Sequence, residues 1–203
     1  MMSTKIFNCL LLAGAAALLS ACATTGQNPP LSQATVSPYR EAIELSGRLY
    51  VNYEKGGQPD TLTGSFTWSQ SAAAVDVALL SPVGQTVAQI RVTPQSATLT
   101  QAGREPRVAR DIDSLTAQTL GWSLPVSGLR DWLQGYATAA DGNRFAASPA
   151  NNTVTTPDGW RLTFVSWQDD PAAHPAPKRI DAQRAASATS GPLALRIVVD
   201  AQG

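Results

Sequence analysis

From about residue 43 the chain alternates apolar and polar residues with a period of two, a pattern that admits few folds other than a large antiparallel sheet. Leu45, Gly47, Leu49, Val51 and Tyr53 fall on one face of a first strand, with Ser46, Arg48 and Asn52 on the other. After the turn cluster Lys55-Gly56-Gly57-Gln58-Pro59-Asp60, the residues Leu62, Gly64, Phe66 and Trp68 alternate with Thr61, Thr63, Ser65 and Thr67. Val75, Val77 and Leu79 mark a third strand. The pattern predicts a fourth near 86–92, a fifth near 96–100 and a short sixth within 104–110. Strands resume near 143–147, 152–156, 160–168, 178–184 and 193–199. In the third of these, Trp160, Leu162 and Phe164 oppose Arg161 and Thr163. About 11 short strands separated by turns indicate an antiparallel barrel or a strongly curved sheet.

The middle of the chain breaks this period. Ile112, Leu115 and Thr119 are spaced as on one helix face, with Asp111 or Asp113 placed to cap the start and Gly121 to stop it. Pro125 to Gly135 reads as a second short helix, with Leu129, Trp132 and Leu133 on one face. Leu120, Trp122, Leu124, Leu129, Trp132 and Leu133 therefore gather at one corner. Such residues ordinarily pack a core. Two helices inserted into a curved sheet could instead form a lid whose side chains line a cavity, and the sequence leaves filled and hollow both open. The loop Leu80-Ser81-Pro82-Val83-Gly84 is a further feature, because turn tips are normally polar and Val83 sits at this one. Either the valine folds back on its hairpin or the tip is an apolar finger that dips into a membrane.

The amino terminus sets the compartment. Lys5 precedes an apolar run from Ile6 to Leu19, too short to span a bilayer and matching the apolar region of an export signal over residues 1–21. The run ends in Leu19-Ser20-Ala21-Cys22, which resembles the bacterial lipobox. That resemblance implies cleavage before Cys22 and acylation of its sulfur and new amino group, an anchor of several chains that holds a protein stably on a membrane. Ala23 after the cysteine, where Asp is absent, points to the outer membrane. Residues 22–40, small, polar and proline-bearing, read as the lipidated terminus and a flexible tether, with the domain proper at 41–203.

Charge and composition narrow the function. Fifteen basic and fifteen acidic residues give a formal net charge of zero, against the basic excess of a nucleic-acid binder. Cys9 lies in the signal and Cys22 carries lipid, so neither a disulfide nor a cysteine nucleophile is expected. His174 is the one histidine and sits in a Pro/Ala loop, a poor mount for a catalytic base. Asp169 and Asp170 are adjacent, so their side chains point apart and do not pair for acid–base work. There is no Gly-x-Ser-x-Gly elbow and no phosphate-cradling glycine loop. The expectation is a protein that is not an enzyme, has no metal and uses no cofactor beyond the lipid on Cys22.

Taken together, these motifs resemble the LolB family of outer-membrane lipoprotein receptors. The stretches that carry the resemblance are Leu45-Ser46-Gly47-Arg48-Leu49, Phe66-Thr67-Trp68, Leu80-Ser81-Pro82-Val83-Gly84, Gly159-Trp160 and, most specifically, the run from Leu120 to Gly135. It spans about residues 45 to 199. It implies a mainly β fold, an open half-barrel of about 11 antiparallel strands with short helices covering a hydrophobic cavity. The cavity would take lipoprotein acyl chains delivered by the periplasmic carrier LolA, for insertion into the outer membrane without ATP. The implied cavity and lid residues are Phe66, Trp68, Leu120, Trp122, Leu124, Leu129, Trp132, Leu133, Trp160 and Phe164. The implied membrane-insertion loop is Leu80, Pro82, Val83 and Gly84, with valine where the family would place leucine. The resemblance also implies a monomer, lipid-anchored in the outer membrane and facing the periplasm. The reading from a different class is a structural or regulatory lipoprotein that uses a related half-barrel to bind a protein partner or free lipid. A hollow interior would favour the receptor and a filled one the alternative.

Overall fold

The longest hairpin organises the sheet. β1 (Ile43–Lys55) and β2 (Gln58–Gln70) are 13 residues each and pair antiparallel from Ile43↔Gln70 to Lys55↔Gln58. The two residues between them, Gly56 and Gly57, both have positive φ (58° and 77°), the geometry a tight two-residue turn requires. The fold is described from a computed structural model covering residues 31–120, 122–168, 173–187 and 190–201. Leu31–Gly203 forms one compact unit, which holds every element described below. The export signal, Cys22 and the tether up to Pro30, together with Gly121, Asp169 and Asp170, lie outside the described residues.

The chain continues through β3 (Val75–Leu80), β4 (Thr86–Val92), β5 (Ala97–Thr100) and β6 (Arg107–Ala109). Two helices follow, α1 (Ile112–Leu120) and α2 (Val126–Trp132), and then β7 (Tyr136–Thr138) and β8 (Arg144–Ala146). The last strands are β9 (Thr153–Thr155), β10 (Trp160–Trp167), β11 (Pro177–Arg184) and β12 (Leu193–Val199). Ten strands form one sheet in the order β6-β5-β4-β3-β2-β1-β12-β11-β10-β9, all neighbours antiparallel. β6 and β9 end the sheet without pairing to each other, so the barrel is open, as expected.

Strict alternation makes one face of this sheet apolar. β3 buries Val75, Val77 and Leu79, and β12 buries Leu193, Leu195, Ile197 and Val199. Where β1 and β12 meet, Gly47 leaves the space a side chain would need. A Cβ there would lie 2.3 Å from the Val198 carbonyl oxygen and 2.8 Å from the Phe66 ring, which covers the gap across the strand pair.

Three boundaries differ from the sequence reading. Among the described residues there are twelve strands, against the expected about 11. The additional one, β7, is three residues long, pairs with β8 in a separate two-stranded sheet, and follows Gly135 directly. The second helix ends at Trp132 rather than at Gly135, whose φ of 82° belongs to a turn. The flexible tether does not extend through residue 40. Val36 is 4% exposed and donates its N–H to the Ala147 carbonyl, and its side chain packs against Gly135. Gln134 clasps the Arg40 backbone at both N–H and carbonyl, and the Tyr136 hydroxyl donates to the Ser37 carbonyl. One buried valine and several backbone bonds therefore dock residues 32–40 onto the β7–β8 region.

Candidate functional site

The apolar face of the sheet lies under the two helices. Leu49, Phe66, Trp68, Val77, Leu79 and Ile197 from the sheet meet Leu124, Leu129 and Leu133 from the helical segment around a wholly apolar void. Its volume is ≈ 20 Å³, room for about one water molecule and far too small for a long acyl chain. In this conformation the void directly beneath the helices is nearly closed, and a larger cavity of ≈ 340 Å³ opens beside it, bordered by Ile43, Leu45, Val199 and Leu133.

Of the ten expected lining residues, Phe66, Trp68, Leu124, Leu129 and Leu133 border this void, and Leu120, Trp122, Trp132, Trp160 and Phe164 do not. Phe66, Trp68, Trp122, Leu124, Leu129, Trp132, Leu133, Trp160 and Phe164 are all buried in one apolar cluster, and half-buried Leu120 packs against it. Trp132 meets Trp160 edge-on, with ring centroids 5.7 Å apart. Gly128, one turn earlier on α2, makes room for that indole: a Cβ at 128 would fall 2.5 Å from the Trp132 ring.

Polar side chains knit the two helices to each other. Asp111 Oδ1 accepts from the Asp113 N–H and caps α1, so the cap is Asp111. Ser127 Oγ, on α2, donates to Asp113 Oδ2 at 2.9 Å, and Ser123 Oγ donates to the Asp113 carbonyl. Fully buried Thr116 donates to that carbonyl and accepts from the Leu124 N–H. Burial pushes the Asp113 carboxyl above the usual carboxylate range, and neighbouring Asp111 adds to the rise while the Ser127 hydrogen bond opposes it. Arg130 Nη2 donates to the Ser71 carbonyl, in the turn that follows β2, at 3.1 Å.

The Val83 loop lies between β3 and β4 and stands clear of the body. Val83 is 81% exposed, so it does not fold back. Gly84, with φ 81°, donates its N–H to the Ser81 carbonyl, and Ser81 is bonded in turn by both its N–H and its hydroxyl to Gln85. The tip is a tight turn that holds an aliphatic side chain out in solvent, with Leu80 half-buried at its base.

These features coincide with a known pattern. The family model described as "Outer membrane lipoprotein LolB" matches residues 41–201. The chain belongs to the LolB family. Relatives named outer-membrane lipoprotein LolB include one from Cupriavidus taiwanensis, 37% identical and covering 95% of each chain, and one from Cupriavidus necator, 38% identical and covering 92% of each. A third, from Ralstonia nicotianae, is 34% identical and covers 97% of each. Among solved structures, a LolA superfamily protein from Nitrosomonas europaea overlays with a TM-score of 0.43 at 7% identity, covering 80% of this chain and 86% of that one.

Within this LolB-family fold, sequence reasoning overlooked some of the site. Phe145 and Trp167 flank Phe164 in a stack with centroids 6.2 Å apart on either side. Phe145 comes from the short β8 and Trp167 from beyond a bulge in β10, so neither follows from simple alternation. Leu49, Val77, Leu79 and Ile197 line the void and do follow from it. His174 is exposed and its Nδ1 lies 3.3 Å from the Thr35 carbonyl, a loop contact rather than a catalytic arrangement.

Proposed function

We propose that this chain is an outer-membrane-anchored receptor that accepts lipoproteins from the periplasmic carrier LolA and inserts them into the outer membrane without ATP. Family membership supports this reading, and the family is one of lipoprotein localisation rather than of enzymes. The observation that carries it is the match of residues 41–201 to the LolB family model, and the apolar underside of a helical lid against an open sheet agrees with it. Moving one 16-carbon chain from water to such an interior is worth on the order of 10 kcal/mol, at about 0.8 kcal/mol per methylene. An acylated protein cannot cross water at a useful rate against that barrier, and a carrier interior removes it. Transfer then runs downhill to the bilayer with no nucleotide. In this proposal Cys22 carries the anchoring lipid, the domain faces the periplasm, and Val83 enters the membrane at delivery.

The nearly closed void beneath the helices has a consequence for mechanism. Cargo chains that enter this void lift α1 and α2 off the sheet, because ≈ 20 Å³ admits none of them. A nearly closed void taken alone also suits a structural lipoprotein, but membership of the LolB family weighs against that alternative. The two readings separate in hydrogen exchange on the chain from Leu31 onward, with and without a tripalmitoylated lipopeptide. The lipopeptide is expected to bind and to alter exchange across α1 and α2 while β1 and β2 stay protected. Absence of binding, or binding that leaves both helices unchanged, contradicts the proposal.

A further inference from the structure

Three buried side-chain polar atoms among the described residues have no hydrogen-bond partner: Asp113 Oδ1, Thr119 Oγ1 and Trp122 Nε1. All three belong to α1 or to the link that leads from it to α2. Native folds leave few such groups, so a concentration in one element calls for an explanation. The sheet treats its own buried indole differently. Trp68 Nε1 donates to Gln70 Oε1 at 3.2 Å, and Gln70 Nε2 donates in turn to the Tyr39 hydroxyl at 2.9 Å. Trp122 is 4% exposed and equally surrounded by apolar side chains, yet its N–H has no acceptor.

An indole N–H only donates, so what is missing is an acceptor. Thr119, on the α1 stripe that also carries the buried Ile112 and Leu115, offers a second hydroxyl donor. We propose that Trp122 Nε1–H, assisted by Thr119, is the donor that recognises the carbonyl joining an acyl chain to its headgroup, the ester or amide of an acylated cysteine. This rests on the receptor reading: neither residue borders the closed void, and both lie in α1 and the link to α2, the segment that entering cargo displaces. Chains entering between lid and sheet bring methylenes for the leucines, and each brings one carbonyl oxygen that can only accept. Plain hydrocarbon fills the same space and leaves the indole N–H orphaned. Asp113 is not assigned this role, because its carboxyl is already engaged by Ser127 Oγ across the two helices. The pairing makes the cargo-bound lid better satisfied than the closed, empty one, and the gain is specific to linked acyl chains.

The test compares two probes on the chain from Leu31 onward: a tripalmitoylated lipopeptide, and a hexadecyl fluorophore with no carbonyl. Trp122→Phe removes the N–H together with part of the ring. The lost bulk acts on both probes alike, whereas the lost N–H acts on the lipopeptide alone. The ratio of lipopeptide to hexadecyl affinity is expected to fall about fivefold to tenfold. Thr119→Val, close in shape and without the hydroxyl, keeps the test open if Trp122→Phe fails to fold, and lowers the same ratio at least about twofold. Ratios unchanged in both variants, or equal losses for the two probes, overturn the inference and leave Trp122 as packing. A parent chain that binds neither probe overturns the receptor reading and this inference with it.

Discussion

Val83→Glu leaves the fold and the capture of cargo from LolA intact and abolishes delivery to liposomes. Val83 is 81% exposed on a turn fixed by the backbone of Ser81, Gly84 and Gln85, so the substitution changes stability by no more than about 0.5 kcal/mol. A valine that leaves water for the bilayer contributes about 1.5 kcal/mol. A carboxylate in its place reverses the sign, since charged side chains are unfavourable in hydrocarbon. Unfolding curves and transfer of a labelled lipoprotein measure the two halves of this claim separately. Val83→Leu is expected to deliver at least as fast as the parent, because leucine reaches further. Normal delivery by Val83→Glu would show that the tip takes no part in insertion.

Trp132→Ala is expected to lower unfolding free energy by about 3–5 kcal/mol, the range for removing a large aromatic from a closed core. The indole is 3% exposed, meets Trp160 (0% exposed) edge-on at 5.7 Å, and lies in a niche that the missing side chain of Gly128 provides. Its loss opens a hole that the sheet face on one side and α2 on the other cannot both close. Denaturant unfolding of parent and variant measures the difference. A loss below about 1 kcal/mol would mean that α2 is not held down by this contact, and that the closed lid is much looser than its packing.

The sheet was legible in the sequence because strand alternation is a period that survives without tertiary context. Phe66, Trp68, Leu162 and Phe164 could be assigned to one face from spacing alone. β7 was not legible, because three residues carry no period and Gly135 before them serves equally as a helix stop. The docking of residues 32–40 was hidden for another reason. Proline, serine and threonine read as linker, while the hold comes from backbone hydrogen bonds and one buried valine. The run from Leu120 to Gly135 was visible as a lid, but the volume beneath it depends on how far the helices settle, which no spacing encodes. The same holds for Trp122: its burial followed from the motif, and the lack of an acceptor for its N–H follows only from the packed arrangement.

The central claim is that acylated cargo moves through the space under α1 and α2 on its way to a membrane. Its most direct measurement mixes LolA carrying a labelled lipoprotein with the chain from Leu31 onward, in the absence of ATP, and then adds liposomes. The account predicts that label moves from LolA to this chain and afterwards to the liposomes. Label that stays on LolA while the chain remains folded contradicts it, and turns attention to a regulatory lipoprotein and its protein partner.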